Sequence, residues 1–264
     1  MLVNSVIIVL REVLEAALMV SILLALSQRT HLGRKWLGVA IGIGLAGAGI
    51  YAYSLGPISE LFDGVGQELV NAAIQFGVYA SLLVAVFLVA RHRGKLSSND
   101  SLLPWALAAS VALAITQEGA EILVYVSGFL RVEEFASSVS IGSVTGAGIG
   151  FSVGVLFFYL LLALPERRAL VVSLVLLGFI GASMCIQATN LLIQADWVQS
   201  GAPLWDSSGL VMEDSLVGQL LYALVGYEAS PSAVEAGMYG VGLVSIILAA
   251  LIGWKLLSAE QEPQ

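Results

Sequence analysis

Apolar residues fill seven long runs, separated by short polar stretches: Leu2–Leu26, Trp36–Leu55, Leu69–Ala90, Leu102–Leu130, Val139–Leu164, Leu170–Ile193 and Met238–Leu257. Each reaches the roughly 20 residues that a helix needs to cross a bilayer. The runs are apolar all round, and in lipid only helices or closed barrels satisfy their own backbone. The pattern predicts an all-α polytopic membrane protein with seven transmembrane helices. Small residues crowd two of the runs, as GIGLAGAGI (Gly42–Ile50) and TGAGIGFSVG (Thr145–Gly154). They suit close helix packing in membranes. The longest connection, about Gln194 to Gly237, carries Leu216, Val217, Leu220, Leu221 and Leu224 at helical spacing. That spacing predicts a short helix over Ser215–Val225, capped by Asp214, packed against the bundle or lying on the membrane. Pro57–Glu68 is expected to behave in the same way.

Composition agrees and excludes several classes. Of 264 residues 58% are hydrophobic and 11% charged, against about 25% charged in soluble domains. The one cysteine, Cys185, excludes an internal disulfide and a multi-cysteine metal site. His31 and His92 sit beside basic residues at segment ends, so no histidine pair is placed to hold a buried haem. No resident cofactor is expected. The N-terminus has no basic region of the kind that begins a cleavable signal. No G-x-x-x-x-G-K-[ST] motif occurs, which argues against ATP hydrolysis by this chain, and no enzyme activity is expected. With a net charge of −8, lipid rather than nucleic acid is the expected macromolecular surroundings.

Charge also sets an orientation. Arg29, Arg34, Lys35, Arg91, Arg93, Lys95, Arg167, Arg168 and Lys255, nine of the eleven basic residues, fall on one side. Basic loops stay cytoplasmic. The N-terminus is therefore expected outside and the C-terminus inside a plasma (inner) membrane. Eleven of the nineteen acids, Glu213, Glu228 and Glu235 among them, fall on the outer side, where they would concentrate cations.

Three ionisable residues, Arg11, Glu12 and Glu15, interrupt the first run within VLREVLEA. A charge at bilayer depth costs at least roughly 2.5–3.5 kcal/mol on insertion scales, so such residues mark function. The fourth run repeats the theme in ITQEGAEILVYVSGFL. At a constant offset of 106, Glu12 matches Glu118, Glu15 matches Glu121, Val20 matches Val126 and Ser21 matches Ser127. Runs two and five share GAGI, at Gly47–Ile50 and Gly146–Ile149. Three crossings separate runs one and four, so the two copies run in opposite directions. This is the signature of an inverted 3+3 repeat. Repeat one covers about 1–95 and repeat two about 100–196. An outer loop, about 197–237, and a last helix, about 238–257, complete one transporter domain.

Residues three apart share a helix face. Glu12 and Glu15 project together, as do Glu118 and Glu121, and the repeat would bring the two faces together near the midplane. Four carboxylates would repel there, and a multivalent cation resolves the conflict. Oxygen ligands suit hard ions such as ferric iron, manganese, calcium or magnesium. Arg11 can pair with a carboxylate and release it when an ion binds. Asn71, Gln75, Tyr79, Gln187 and Asn190, in runs three and six, could line the path, and Thr116, Gln117 and Tyr125 flank the second motif.

At Arg11-Glu12-Val13-Leu14-Glu15 the sequence resembles the iron permease family of high-affinity, oxidase-linked iron uptake. That family carries R-E-x-x-E in span one and again in span four of a seven-helix scaffold. The likeness extends through PLWDSS…GQLLYALVGYEASPS to the last helix. It implies that Glu12, Glu15, Glu118 and Glu121 hold the iron and that Arg11 completes the first motif. It implies import of iron, Fe3+ or Fe2+, with ferric iron following oxidation by an extracytoplasmic ferroxidase or iron-binding partner. The second motif departs from the pattern, because Gln117 stands where the family has arginine. Another divalent metal such as manganese or lead, export instead of import, or a non-transport membrane subunit of a redox complex are the competing readings.

Overall fold

The structure is a computed structural model that describes residues 1–30, 32–92 and 102–260, without the side chains of His92, Leu216 and Leu257–Glu260. His31, Arg93, Lys95 and Asp100 lie outside the described residues. The described residues form eight α-helices: α1 (Leu2–Arg29), α2 (Lys35–Ser59), α3 (Gly66–His92), α4 (Leu102–Leu130), α5 (Glu133–Ala163), α6 (Glu166–Gln194), α7 (Leu216–Val225) and α8 (Ala233–Glu260). Among the described residues only an isolated bridge, Pro203 to Ser232, has β pairing. Six helices, α2 to α6 and α8, are long and apolar enough to cross a membrane. α1 is as long, at 28 residues, and differs from them by carrying Arg11, Glu12 and Glu15.

Most helices outrun the apolar runs that announced them, because polar residues continue the helix past the hydrocarbon. Glu133 and Glu134 occupy the first turn of α5, where carboxylates favour the N-terminal end of the helix dipole. Pro57–Glu68 makes no separate α-helix, only a 3-10 turn over Leu61–Gly64. Pro57 lies in the last turn of α2, and Phe62, Asp63 and Gly64 then turn the chain at positive φ values of 54°, 62° and 98°.

Two long helix pairs flank the middle of the bundle: α1 runs along α5, and α2 along α4. Glycine allows both. Gly142, Gly146, Gly150 and Gly154 line one face of α5, where an added Cβ would come within 2.5–3.0 Å of α1 atoms from Leu2 to Ala17. Gly44 and Gly47 of α2 meet Ile115 and Thr116 of α4 in the same way. α3, α6 and α8 pack together beside these pairs. Ile22, Leu23, Leu82, Val86, Leu107, Val111 and Leu177, all 0% exposed, form the central apolar core.

α7 corrects one expectation and meets another. Its N-cap is Ser215, whose hydroxyl accepts from the Gly218 N–H at 3.0 Å, so Asp214 is not the cap. The helix packs against the bundle, the first of the two placements its apolar stripe allowed: Leu220, Ala223 and Leu224 join Leu14 and Leu18 of α1 in one apolar cluster, which Val153 and Phe157 of α5 also border. The chain leaves α7 at Gly226, in the left-handed conformation (φ 66°), with its backbone against Ser183 of α6. A Cβ there would sit 2.9 Å from Ser183, so close approach as well as φ calls for glycine.

Candidate metal-transport site

α1 and α4 meet at their acidic turns. Glu12, Glu15 and Glu118 are buried and Glu121 is half-buried. One carboxylate oxygen from each of Glu12, Glu118 and Glu121 lies within 4.8 Å of the others. At an effective dielectric of about 20, two unit charges that far apart repel by roughly 3 kcal/mol. The same spacing lets all three grip one ion.

Glu15 is held apart from that trio. Its Oε2 accepts a hydrogen bond from Gln187 Nε2 at 3.1 Å, and its Oε1 lies 3.8 Å from Arg11 Nε. Arg11 also reaches Glu12, Nη2 to Oε1, at 3.1 Å. The one arginine therefore bridges both carboxylates of its own motif. Its guanidinium carbon sits 5.7 Å from the centre of the Tyr222 ring, delivered by α7, within range of a cation–π contact. The site thus joins a trio of carboxylates spaced to hold one ion to a fourth glutamate kept by neighbours. In the second motif Gln117, buried and 4% exposed, supplies a hydrogen bond to Glu121 in place of a charge.

All four glutamates, Arg11 and Gln117 line one cavity of about 660 Å³. Its wall rises past Gln75 and Asn71 of α3 and Gln187 and Asn190 of α6 to Gln67 and Gln194. These last two lie near the helix ends on the side where α1 begins. In the opposite direction the apolar core closes the bundle. Hydrogen bonds brace the wall: the Tyr51 hydroxyl donates to Asn71 Oδ1 at 2.6 Å, and Ser5 and Tyr125 hydroxyls pair at 2.7 Å. Asn190 donates to Glu228 in the α7–α8 connection. Burial, with Glu235 adding to it, pushes Glu228 up to about 7, against the pull of that hydrogen bond.

Not every flanking polar residue belongs to the cavity. Thr116 donates to the Ala112 carbonyl at 2.8 Å and packs on α2, and Tyr79 pairs with Ser245 of α8. Sequence reasoning passed over Tyr51 and Tyr222, which do line it. Tyr222 carried a usable signal: with Gln219 it is one of two polar side chains in the otherwise apolar ten-residue helix LVGQLLYALV.

A multi-pass helical bundle whose buried acids converge on a polar cavity has the parts that holding and passing a cation requires. Residues 2–259 match the Iron permease FTR1 family, and the chain belongs to it; it is a transmembrane iron-transport permease. Among curated relatives, Ferrous iron permease EfeU of Yersinia pestis is 26% identical over 262 residues, covering 91% of this chain and 90% of that one. The same-named protein of Escherichia coli O6:H1 (strain CFT073) is 28% identical, covering 93% and 94%. That of Shigella sonnei (strain Ss046) is 29% identical, covering 92% and 92%. No solved structure matches the chain.

Proposed function

We propose that this permease imports iron across the plasma (inner) membrane through Glu12, Glu15, Glu118 and Glu121, with Arg11 and Gln117 in support. The observation that carries the reading is the trio of carboxylate oxygens within 4.8 Å in the wall of a polar cavity. In this reading α1 is the seventh span, and α1–α6 form an inverted 3+3 repeat followed by α8. Helix pairing supports it: α1 with α5 becomes α4 with α2 when the repeats are exchanged. Matched residues also meet matched residues. Gly146 contacts Leu10, and Gly47 contacts Thr116; the glycines are equivalent in the two GAGI copies, and Thr116 follows Leu10 by the motif offset of 106.

The cavity then faces outside, with the N-terminus outside and the C-terminus in the cytoplasm. The relatives' name points to ferrous iron as the form taken up, whereas an all-oxygen set with net charge −3 suits a ferric ion. Both fit if an extracytoplasmic ferroxidase or iron-binding partner removes one electron before the ion enters the site. Arg11 would hold Glu12 until the ion displaces it. Metal flux into liposomes carrying the purified protein tests this with Fe3+, Fe2+, Mn2+ and Pb2+. Iron flux that disappears in Glu118→Gln is expected. Iron flux equal in parent and variant, or preferential flux of manganese or lead, would refute the iron site.

A further inference from the structure

We propose that Gln75 supplies a neutral oxygen ligand to the transported ion, aimed by a hydrogen-bond chain that begins at Glu15. This rests on the reading of the cavity as the iron site and adds α3 to a site so far built from α1 and α4.

The chain has a direction. Gln187 Nε2 faces two acceptors, Glu15 Oε2 at 3.1 Å and Ser183 Oγ at 3.2 Å. An ionised carboxylate only accepts, so Glu15 takes the NH2 side of the amide, and the Ser183 hydroxyl, which can donate or accept, accepts there. The Gln187 carbonyl oxygen therefore points the other way, toward α3. There it accepts from Gln75 Nε2 at 2.6 Å. That bond commits the Gln75 amide in turn, so its NH2 side faces Gln187 and its Oε1 is the free end.

That free end is costly where it stands. Gln75 is only 2% exposed, and its Oε1 has no hydrogen-bond partner among the described residues. The side chain lines the same cavity as the glutamates. A buried carbonyl oxygen without a donor is rare in proteins and asks for an explanation. A hard cation explains it. Amide carbonyls are ordinary ligands of such ions, and a neutral oxygen adds to the coordination without adding repulsion among the acids. The chain also makes Glu15 useful although it stands outside the trio of converging oxygens. Through Gln187 it fixes which atom of Gln75 the ion meets.

The test is anaerobic Fe2+ titration of the full-length protein in nanodiscs, with Glu118→Gln as control and thermal unfolding to confirm folding. Gln75→Leu is expected to weaken Fe2+ binding at least tenfold. Gln75→Glu, which keeps an oxygen but loses the NH2, is expected to bind within threefold of the parent or more tightly. Gln187→Leu, which leaves the ligand but not its aim, is expected to fall between. A role confined to packing or to the Gln187 bond would move unfolding and would not be rescued by Gln75→Glu. Parent-like binding by Gln75→Leu, with binding lost in Glu118→Gln, would overturn this inference and leave the iron site standing. Failure of Gln75→Glu to restore binding would overturn it too. Failure of the parent to bind either Fe2+ or Fe3+, the latter offered as a citrate complex, would overturn the iron site itself.

Discussion

Gly146 ties helix packing to the site, and one methyl group tests the connection. An alanine Cβ at this position would lie 2.5 Å from the Val6 carbonyl oxygen and 2.9 Å from the Leu10 nitrogen. Both are backbone atoms of α1, so no side chain can rotate away. Restoring an ordinary contact of 3.4 Å to Val6 means moving α1 from α5 by about 0.9 Å. Leu10 lies just before Glu12, so the motif moves with it, away from or across Glu118 and Glu121. Overpacking of this kind costs about 1–3 kcal/mol, partly offset by the roughly 1 kcal/mol by which alanine favours helix over glycine. A displacement near 1 Å in a site that needs exact geometry can lower its rate by about a hundredfold. Gly148, one position past Ala147, is the control, because its Cβ would meet nothing within 4 Å. Thermal unfolding and iron flux in liposomes should therefore separate the two variants. Gly146→Ala should unfold several degrees lower and lose most of its flux, while Gly148→Ala should match or exceed the parent in both. Equal behaviour of the two, or full flux in Gly146→Ala, would refute the claim that α5 sets the position of the first motif.

Other expectations follow from single contacts. Gln117→Arg places a second guanidinium against Glu121; at an effective dielectric of about 20 a unit charge about 4–5 Å from a doubly charged ion opposes it by roughly 7–8 kcal/mol before screening, so Fe2+ affinity should fall at least tenfold, and unchanged affinity would show that Gln117 lies outside the field of the ion. Glu228 is pushed up to about 7 from 4.5, so the folded protein holds its proton over a range where the unfolded chain has released it. This group's stabilising contribution is complete below about pH 4.5 and is lost as pH rises through 7. Glu228→Gln has no such proton to lose, and its melting temperature should gain on the parent between pH 5 and pH 8; a constant difference across that range would contradict the assignment. Ser215→Ala removes the α7 cap and should cost about 1 kcal/mol, read as a small fall in melting temperature, whereas Asp214→Ala should leave it unchanged.

Much of this architecture could be read along the chain because lipid leaves few alternatives. Apolar runs of spanning length gave the long helices, and Leu102–Leu130 was placed with both of its ends. The two E-x-x-E copies stood out because charge inside such runs is costly. What could not be read depends on contacts between distant residues. An apolar stripe on a ten-residue helix looks the same whether it meets lipid or protein, so the sequence leaves both placements of α7 open and only the fold selects Leu14 and Leu18 as its partners. The cap moved by one residue, from Asp214 to Ser215, where both residue types favour the position equally. Glu15 has the same spacing and chemistry as the other three glutamates, yet Gln187 of α6, 172 residues away, holds it aside. Glu228 read as one more outer acid, and its burial arises only because the connection after α7 folds back onto Asn190.

The most direct test of the central claim is to locate the ion. Crystals of the protein loaded with iron, measured at the iron absorption edge, should show one anomalous peak within the cavity, in ligand contact with Glu12, Glu118 and Glu121, and with Arg11 withdrawn from Glu12. A peak confined to the outer acids Glu213, Glu228 and Glu235, with the four motif glutamates free of metal, would contradict it.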